Sequence, residues 1–443
     1  MKERLAALAT AMRLPDVRKR ILFVFGMIGI YVACAHVPLP GVDKAQLERL
    51  FQGHGLGDIL DTFAGGSLKR FSVLALGIMP YINASIIFQL LVMAIPQLEE
   101  LQKEGEYGQK KINQWTKYLT VALAFLQAAG MISWFRQGQA FIGSTYDVFF
   151  AILMMAAGTC FLMWLGDQIT TKGIGQGISL IIFAGIMTRM PQDIAQTLVL
   201  WKGGEVGIAN IAFLVAIFVA TIYGIVKVQQ AQRKIPIQYA KRIRGNKQYG
   251  GTSSFLPLRV NQAGVIPIIF AISVALFPAT IAQFLGSESI VNSISSMLHV
   301  TAESVHNAIF SVVEFTTPGR NPLASLLYFI LVIIFTYFYT AVTFNPEQIA
   351  ENLQNNGGTI PGIRPGERTR DYLDKILYRI TLAGALFLGF IAVMQYYVGS
   401  ITGVHTFSLV GGTSLLIVVG VALDTMQQIE AQLLMRHYKG FLS

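Results

Sequence analysis

Gly77-Ile78-Met79-Pro80-Tyr81-Ile82 and Gly264-Val265-Ile266-Pro267-Ile268-Ile269 lie 187 residues apart and carry glycine and proline at the same two places. Proline removes a backbone donor and breaks a helix, while glycine lets another backbone approach closely, so each hexapeptide marks an interruption in an apolar run. A second pair repeats the pattern: Gly177-Ile178-Ser179-Leu180-Ile181-Ile182 matches Gly412-Thr413-Ser414-Leu415-Leu416-Ile417 at an offset of 235. The larger offset is absorbed by longer connections over 286–322 and 345–379. Two motifs at equivalent places in both halves point to an internal duplication, with a site at the junction of the repeats.

Working outward from these motifs, the chain is apolar throughout. Of its 443 residues, 53% are hydrophobic and 13% are charged, against about 25% charged in a soluble domain. The apolar residues gather into ten runs, at 21–39, 71–95, 118–135, 148–165, 174–188, 208–226, 260–285, 323–344, 380–398 and 409–423. Each approaches the roughly 20 residues that a helix needs to cross a bilayer. The alternating ten-residue signature of a membrane barrel is absent, and backbone groups in hydrocarbon must pair internally. The fold class is therefore an all-α polytopic membrane protein, with ten transmembrane helices in two halves of five. An odd number of helices per half makes the repeats inverted in topology.

Positive charge sets the orientation, because cytoplasmic loops retain Lys and Arg. One set of alternate segments holds 26 of the 34 basic residues and the other holds 8. Both termini are accordingly expected on the cytoplasmic side. The expected divisions are a basic cytoplasmic N-terminus at 1–20, an N-terminal half at 21–190, a C-terminal half at 191–426 and a cytoplasmic tail at 427–443. No small-residue cleavage site follows the first run, and Arg18, Lys19 and Arg20 before it read as a retained start anchor. Cys34 and Cys160 fall inside spans, where they behave as small apolar residues.

The duplication sets Ile82 opposite Ile269 and Ile182 opposite Ile417, with Ile78 and Ile178 one helical turn earlier on the same faces. Six isoleucines from four helices make a constriction that offers water and ions no hydrogen bond, closes by dewetting, and spreads without breaking polar contacts. Ionisable groups are almost missing from the spans, Asp424 being the main exception. A secondary transporter of a small solute is the other reading a duplicated fold permits, but it calls for a polar or charged midplane site. Polar uncharged residues do occur, among them Asn83, Ser85, Gln89, Gln127, Asn261 and Gln262, with interhelical bonding and gating as their two open roles.

Two loops stand out. Residues 227–259 hold Lys227, Arg233, Lys234, Lys241, Arg242, Arg244, Lys247 and Arg259 with no acidic residue, a patch suited to rRNA, an acidic protein face or lipid headgroups. Residues 345–379 surround Pro361-Gly362-Ile363-Arg364-Pro365-Gly366-Glu367, a rigid turn that holds Arg364 forward. The chain has neither a phosphate-binding Gly-x4-Gly-Lys-Ser/Thr loop nor a His-Glu-x-x-His zinc pair. The expectation is a passive channel with no cofactor or catalytic activity of its own, so any energy source is a partner.

Several stretches closely resemble the SecY family, the channel subunits of the bacterial protein translocon. They are ALGIMPYINASIIFQLL at 75–91, GIGQGISLIIFAGI at 173–186, LPLRVNQAGVIP at 256–267, FNPEQIAENL at 344–353, PGIRPGE at 361–367 and GGTSLLIVV at 411–419. The resemblance implies an hourglass pore between the halves, with its aliphatic ring on Ile78, Ile82, Ile178, Ile182, Ile269 and Ile417. It implies a plug near 56–70 that includes Phe63, Ala64, Gly65 and Gly66, and a lateral gate of spans two, three, seven and eight with Asn83, Gln127 and Asn261 at its polar positions. Arg364, Lys241, Arg242, Arg244 and Lys247 would dock a SecA motor or a ribosome. Small SecE- and SecG-type subunits, secretory and membrane-protein substrates and the lipid of the bacterial plasma (inner) membrane are the other partners implied. The implied function is transport of unfolded secretory chains, with lateral release of hydrophobic segments after signal sequence recognition.

Overall fold

The computed structural model describes residues 14–43, 45–47, 49, 61, 64–239, 242–244, 247–249, 253–285, 291, 295–296, 301–319, 321–404 and 412–439. Its helices are α1 (Pro15–Ala35), α2 (Met79–Ala94), α3 (Pro96–Lys103), α4 (Glu106–Gln137), α5 (Thr145–Lys172), α6 (Gly177–Lys202), α7 (Ile208–Gln230), α8 (Ile266–Leu285), α9 (Ala302–Thr316), α10 (Pro322–Thr343), α11 (Pro346–Asn355), α12 (Glu367–Thr402) and α13 (Gly412–Lys439). Each of the ten apolar runs falls on a helix. Among the described residues, six helical stretches are long and apolar enough to cross a membrane, and the pair α2 and α3, bent by 101°, makes a seventh. Of the remaining runs, α1 begins with Asp16, Arg18, Lys19 and Arg20, α6 carries Arg189 and Asp193, and α8 is uncharged from Ile266 to Leu285.

Local chemistry places the helix starts. Asn321 and Asn345 each cap a helix through Oδ1, on Leu323 N–H at 3.0 Å and on Glu347 and Gln348 N–H at 3.1 and 3.2 Å, and each is followed by proline at the first helical position. At α5, Ser144 and Asp147 form a reciprocal capping box.

The two sequence motifs keep their equivalence in three dimensions. Residues 71–78 and 262–265 are turns, Gly77 and Gly264 take φ of +57° and +65°, and α2 and α8 begin immediately afterwards with Pro80 and Pro267 as their second residues. The prolines therefore start half-helices rather than bend continuous ones, because the first turn has no use for the missing donor. In the second pair, Gly177 and Gly412 open α6 and α13, and each packs on a backbone carbonyl of the preceding long helix, Gly166 on α5 and Ile391 on α12. A side chain at either position would overlap that carbonyl.

In the N-terminal half α1 packs on α5 and α6, and α2 packs on α4 and α5. In the C-terminal half α7 lies on α12 and α13, while α8 lies on α9, α10 and α12. The halves meet along two seams, α8 against α2 and α4, and α6 against α13.

Three expectations need adjustment. A division of the halves at residue 190 falls inside α6, which runs on to Lys202; the linker is the short segment before α7 at Ile208. Apolarity ends at Arg189, but the helix does not, because its charged residues are paired in the interior. Second, α13 continues to Lys439, so the tail expected from 427 begins as helix. Third, the two loops that stand apart in the sequence share a sheet: the basic loop folds into strands β1 (Gln232–Tyr239), β2 (Arg242–Arg244), β3 (Lys247–Tyr249) and β4 (Ser253–Arg259), and β5 (Gly358–Thr359) from the second loop joins β1, giving a sheet of order β4-β1-β5.

Candidate functional site: a constriction below a polar vestibule

All six predicted ring isoleucines belong to one hydrophobic cluster. Ile78, Ile82, Ile182 and Ile417 are buried in it, and Ile178 and Ile269 pack against it half-buried. On the side that carries the hairpin β1–β4, Ile182, Ile269 and Ile417 floor a cavity of about 270 Å³. Its other walls mix polar Gln176, Ser179, Gln229, Arg259, Asn261 and Asp424 with apolar Val265, Ile266, Tyr339, Val421 and Leu423. A second cavity of about 280 Å³ shares Gln176, Ser179, Val421, Asp424 and Gln427 and continues the same vestibule. The vestibule thus offers water hydrogen-bonding groups that the isoleucines do not.

Polar ties hold the vestibule wall together. The Arg259 guanidinium donates to Gln427 Oε1 at 2.9 Å, and Gly175 N–H donates to Gln428 Oε1 at 2.9 Å. Adjacent glutamines of α13 thus hold the root of α8 and the root of α6, two helices that carry ring isoleucines.

The predicted gate residues lie beside the α8 seam but do not bond across it. The Asn261 amide donates to the Gly264 carbonyl at 2.9 Å within its own turn, and its buried Oδ1 accepts nothing among the described residues. Asn83 and Gln127 are half-buried and make no side-chain hydrogen bond among the described residues. Gln89 donates to Ser85 Oγ at 3.3 Å along α2. The seam is held chiefly by apolar packing, because a short amide finds a partner in its own backbone before it reaches a neighbouring helix.

The predicted plug segment is described at Asp61 and from Ala64 onward; Phe63 lies outside the described residues. Ala64 is buried in a second cluster with Leu68, Phe71, Ala128, Ile132 and Met155. Gly65 and Gly66 take φ of +67° and +78°, and a Cβ on Gly65 would sit 2.6 Å from the Gly185 Cα of α6. Arg70 Nη1 lies 2.7 Å from His36 Nε2 on α1. Asp61 Oδ1 accepts from the Leu68 and Lys69 N–H groups at 3.1 and 3.0 Å, and Oδ2 lies 3.3 Å from the Arg189 guanidinium. Arg189 also meets Asp193 at 3.6 Å, one turn further along α6. Sequence reading missed this charged group. The i, i+4 spacing of Arg189 and Asp193 was its one visible signal, and nothing near Asp61 announced the third member.

A family model described as SecY matches residues 72–426. The chain belongs to the SecY family. The protein translocase subunit SecY of Streptomyces coelicolor is 43% identical over 459 aligned residues, covering 99% of this chain and 100% of the relative. The corresponding Bacillus subtilis subunit is 42% identical, with 97% and 98% covered. Among solved structures, one of a protein conducting channel matches with a TM-score of 0.65 at 18% identity over 96% of both chains, and Sec61 from a canine ribosome-channel complex matches with 0.63 at 17%, again over 96% of both. The protein is thus a multi-pass membrane protein with the SecY fold.

In this SecY family member the turn that carries the predicted docking residue Arg364 is built onto a packed platform. Ile235 of β1, Leu258 of β4, Ile360 beyond β5 and Leu373 and Ile376 of α12 form one buried cluster, which fuses the two loops that the sequence presented separately. The turn before α12 is rigid: Gly362 and Gly366 take φ of +80° and +92°, Ile363 packs on the cluster, and the Thr369 hydroxyl donates to the Arg364 carbonyl at 2.9 Å. Arg364 itself is exposed. Arg242, Arg244 and Lys247 lie on the paired strands β2 and β3; Lys241 is outside the described residues.

Proposed function

We propose that the chain is the central subunit of a gated protein-conducting channel with ten spans and cytoplasmic termini. It passes unfolded secretory polypeptides across the bacterial plasma membrane and releases hydrophobic segments into the bilayer between α8 and the pair α2 and α4. The observation that carries this reading is the convergence of Ile182, Ile269 and Ile417, drawn from three helices, at one cavity whose remaining lining includes Gln176, Ser179, Gln229, Arg259, Asn261 and Asp424. An alkyl floor accommodates any side-chain sequence that slides through and binds none of them. The transporter alternative needs polar or charged groups where this path is most apolar.

In this reading Ile78, Ile82, Ile178, Ile182, Ile269 and Ile417 seal the pore around a passing chain, the segment with Ala64, Gly65 and Gly66 is the plug, and Asn83, Gln127 and Asn261 border the lateral exit. The exposed Arg364 and the basic β2–β3 strands meet an ATP-driven SecA motor or a ribosome, and small SecE- and SecG-type subunits complete the assembly. Relatives that are translocase subunits support membership of a translocon, and a structural neighbour solved in a ribosome-channel complex supports the ribosome as a partner.

Photo-crosslinking tests the reading. With a photoreactive residue at Ile182, Ile269 or Ile417, a secretory chain stalled in transit should form adducts at all three sites. No adduct there, with labelling equal to that at the exposed Phe390 of α12, would overturn it.

A further inference from the structure

The buried charges of the 61–70 segment do more than complete its fold. Asp61 is 1% exposed and Arg189 11% exposed, and ionisable groups are retained inside a membrane protein where they serve a state change or a pathway. The segment docks on one face of α6 at two points, since Gly185 and Arg189 are one helical turn apart. Gly65 lies over Gly185, and Asp61 lies over Arg189.

Asp61 has two separable tasks. One carboxylate oxygen ties the Leu68 and Lys69 amides, which holds the segment's own turn, and the other faces Arg189. Arg189 in turn has a second carboxylate, Asp193, on its own helix. If the segment leaves, Arg189 is not stranded, because Asp193 stays beside it. Removing one member of a buried pair ordinarily leaves an uncompensated charge and a prohibitive penalty. A resident second counterion lowers that penalty and makes the contact reversible.

We propose that Asp61, Arg189 and Asp193 form a charge latch that holds the plug segment closed, in which Arg189 passes from a shared pair with Asp61 to an exclusive pair with Asp193 when the channel opens. The proposal rests on the channel reading above, and it names the residues that set how readily the resting channel opens. Arg189 and Asp193 are positioning residues, since they act through the segment and not on the transported chain.

Asp61→Asn separates the two tasks. The asparagine Oδ1 still accepts the Leu68 and Lys69 amides, while the charge facing Arg189 is lost. In vesicles reconstituted with the full channel complex, resting ion leakage should rise about tenfold, less than for Arg189→Gln, which takes the cation away from both buried carboxylates. The double variant should leak no more than Arg189→Gln alone, because one interaction is removed only once. A second readout follows the segment directly. With Cys34 and Cys160 replaced by Ala, Ser67→Cys should be alkylated slowly by a membrane-impermeant maleimide, and faster when Asp61→Asn is added. Wild-type leakage and an unchanged alkylation rate in Asp61→Asn, while Ile78→Gly with Ile269→Gly leaks strongly, would overturn the latch and leave the channel reading standing. If the isoleucine double variant does not leak either, the channel reading fails and the latch falls with it.

Discussion

In the channel proposed above, the isoleucine ring and the plug segment, described at Asp61 and from Ala64 to Arg70, close the same path by opposite means. The constriction has six alkyl side chains from four helices and no polar contact, so its closure is graded: each helix moves a little and the seal thins. The segment is held by a glycine laid on a glycine and by an ion pair, contacts that are either made or lost. An apolar seal suits a passage that must fit chains of every sequence. A charged contact suits a closed state that must be left as a unit. The molecule separates tolerance from commitment by assigning them different chemistry.

That contrast is exposed to test, beginning with the largest expected effect. Ile78→Gly with Ile269→Gly removes two four-carbon side chains, about 5 kcal/mol of apolar burial, and leaves a gap that water fills. Conductance of reconstituted channels should rise more than in any other variant proposed here; wild-type conductance would remove the ring from the seal. Gly65→Ala comes next. Its Cβ would stand 2.6 Å from Gly185 Cα at a φ of +67°, and overpacking of that kind costs about 1–3 kcal/mol. Leakage should rise and thermal stability fall together, whereas a change in leakage alone would mean that the segment does not press on α6.

Asn261→Leu should act weakly. It removes one bond to the Gly264 carbonyl, worth about 0.6 kcal/mol in membrane helices, and it also removes the buried Oδ1 that accepts nothing among the described residues. Secretion of a reporter with a weakened signal sequence, relative to the intact one, should shift by about threefold or less. An identical ratio in wild type and variant would place the lateral exit away from this residue. Arg364→Glu should leave leakage and melting temperature unchanged, since the side chain is exposed and makes no hydrogen bond or ion pair among the described residues. Motor-dependent transport should nevertheless fall sharply, because the charge presented to a partner is reversed. Retained transport would detach the turn from motor docking.

The sequence by itself determined the parts of this protein that repeat or follow from composition. Ten apolar runs predict helices, and the Gly-Pro motifs mark the interruptions after which α2 and α8 begin, because proline is unfavourable in a helix interior and glycine allows the positive φ found at Gly77 and Gly264. That the six isoleucines gather in one cluster was legible from the repeat: Ile82 with Ile269 and Ile182 with Ile417 stand at matched offsets, and Ile78 and Ile178 lie one turn earlier. Tertiary structure alone decided what depended on two distant segments meeting. The basic loop and the Arg364 turn become one platform because β5 pairs with β1 and Ile360 reaches the Ile235 and Leu258 cluster, which neither loop's composition discloses. Asn261 was legible as a polar residue at a seam, yet its bond turned inward because the Gly264 carbonyl was nearer. Asp61 and Arg189 read as a loop acid and a loop base until the fold buried them together. A buried charge is tolerated only beside its partner, and where that partner comes from 128 residues away the chain's order gives no sign of it.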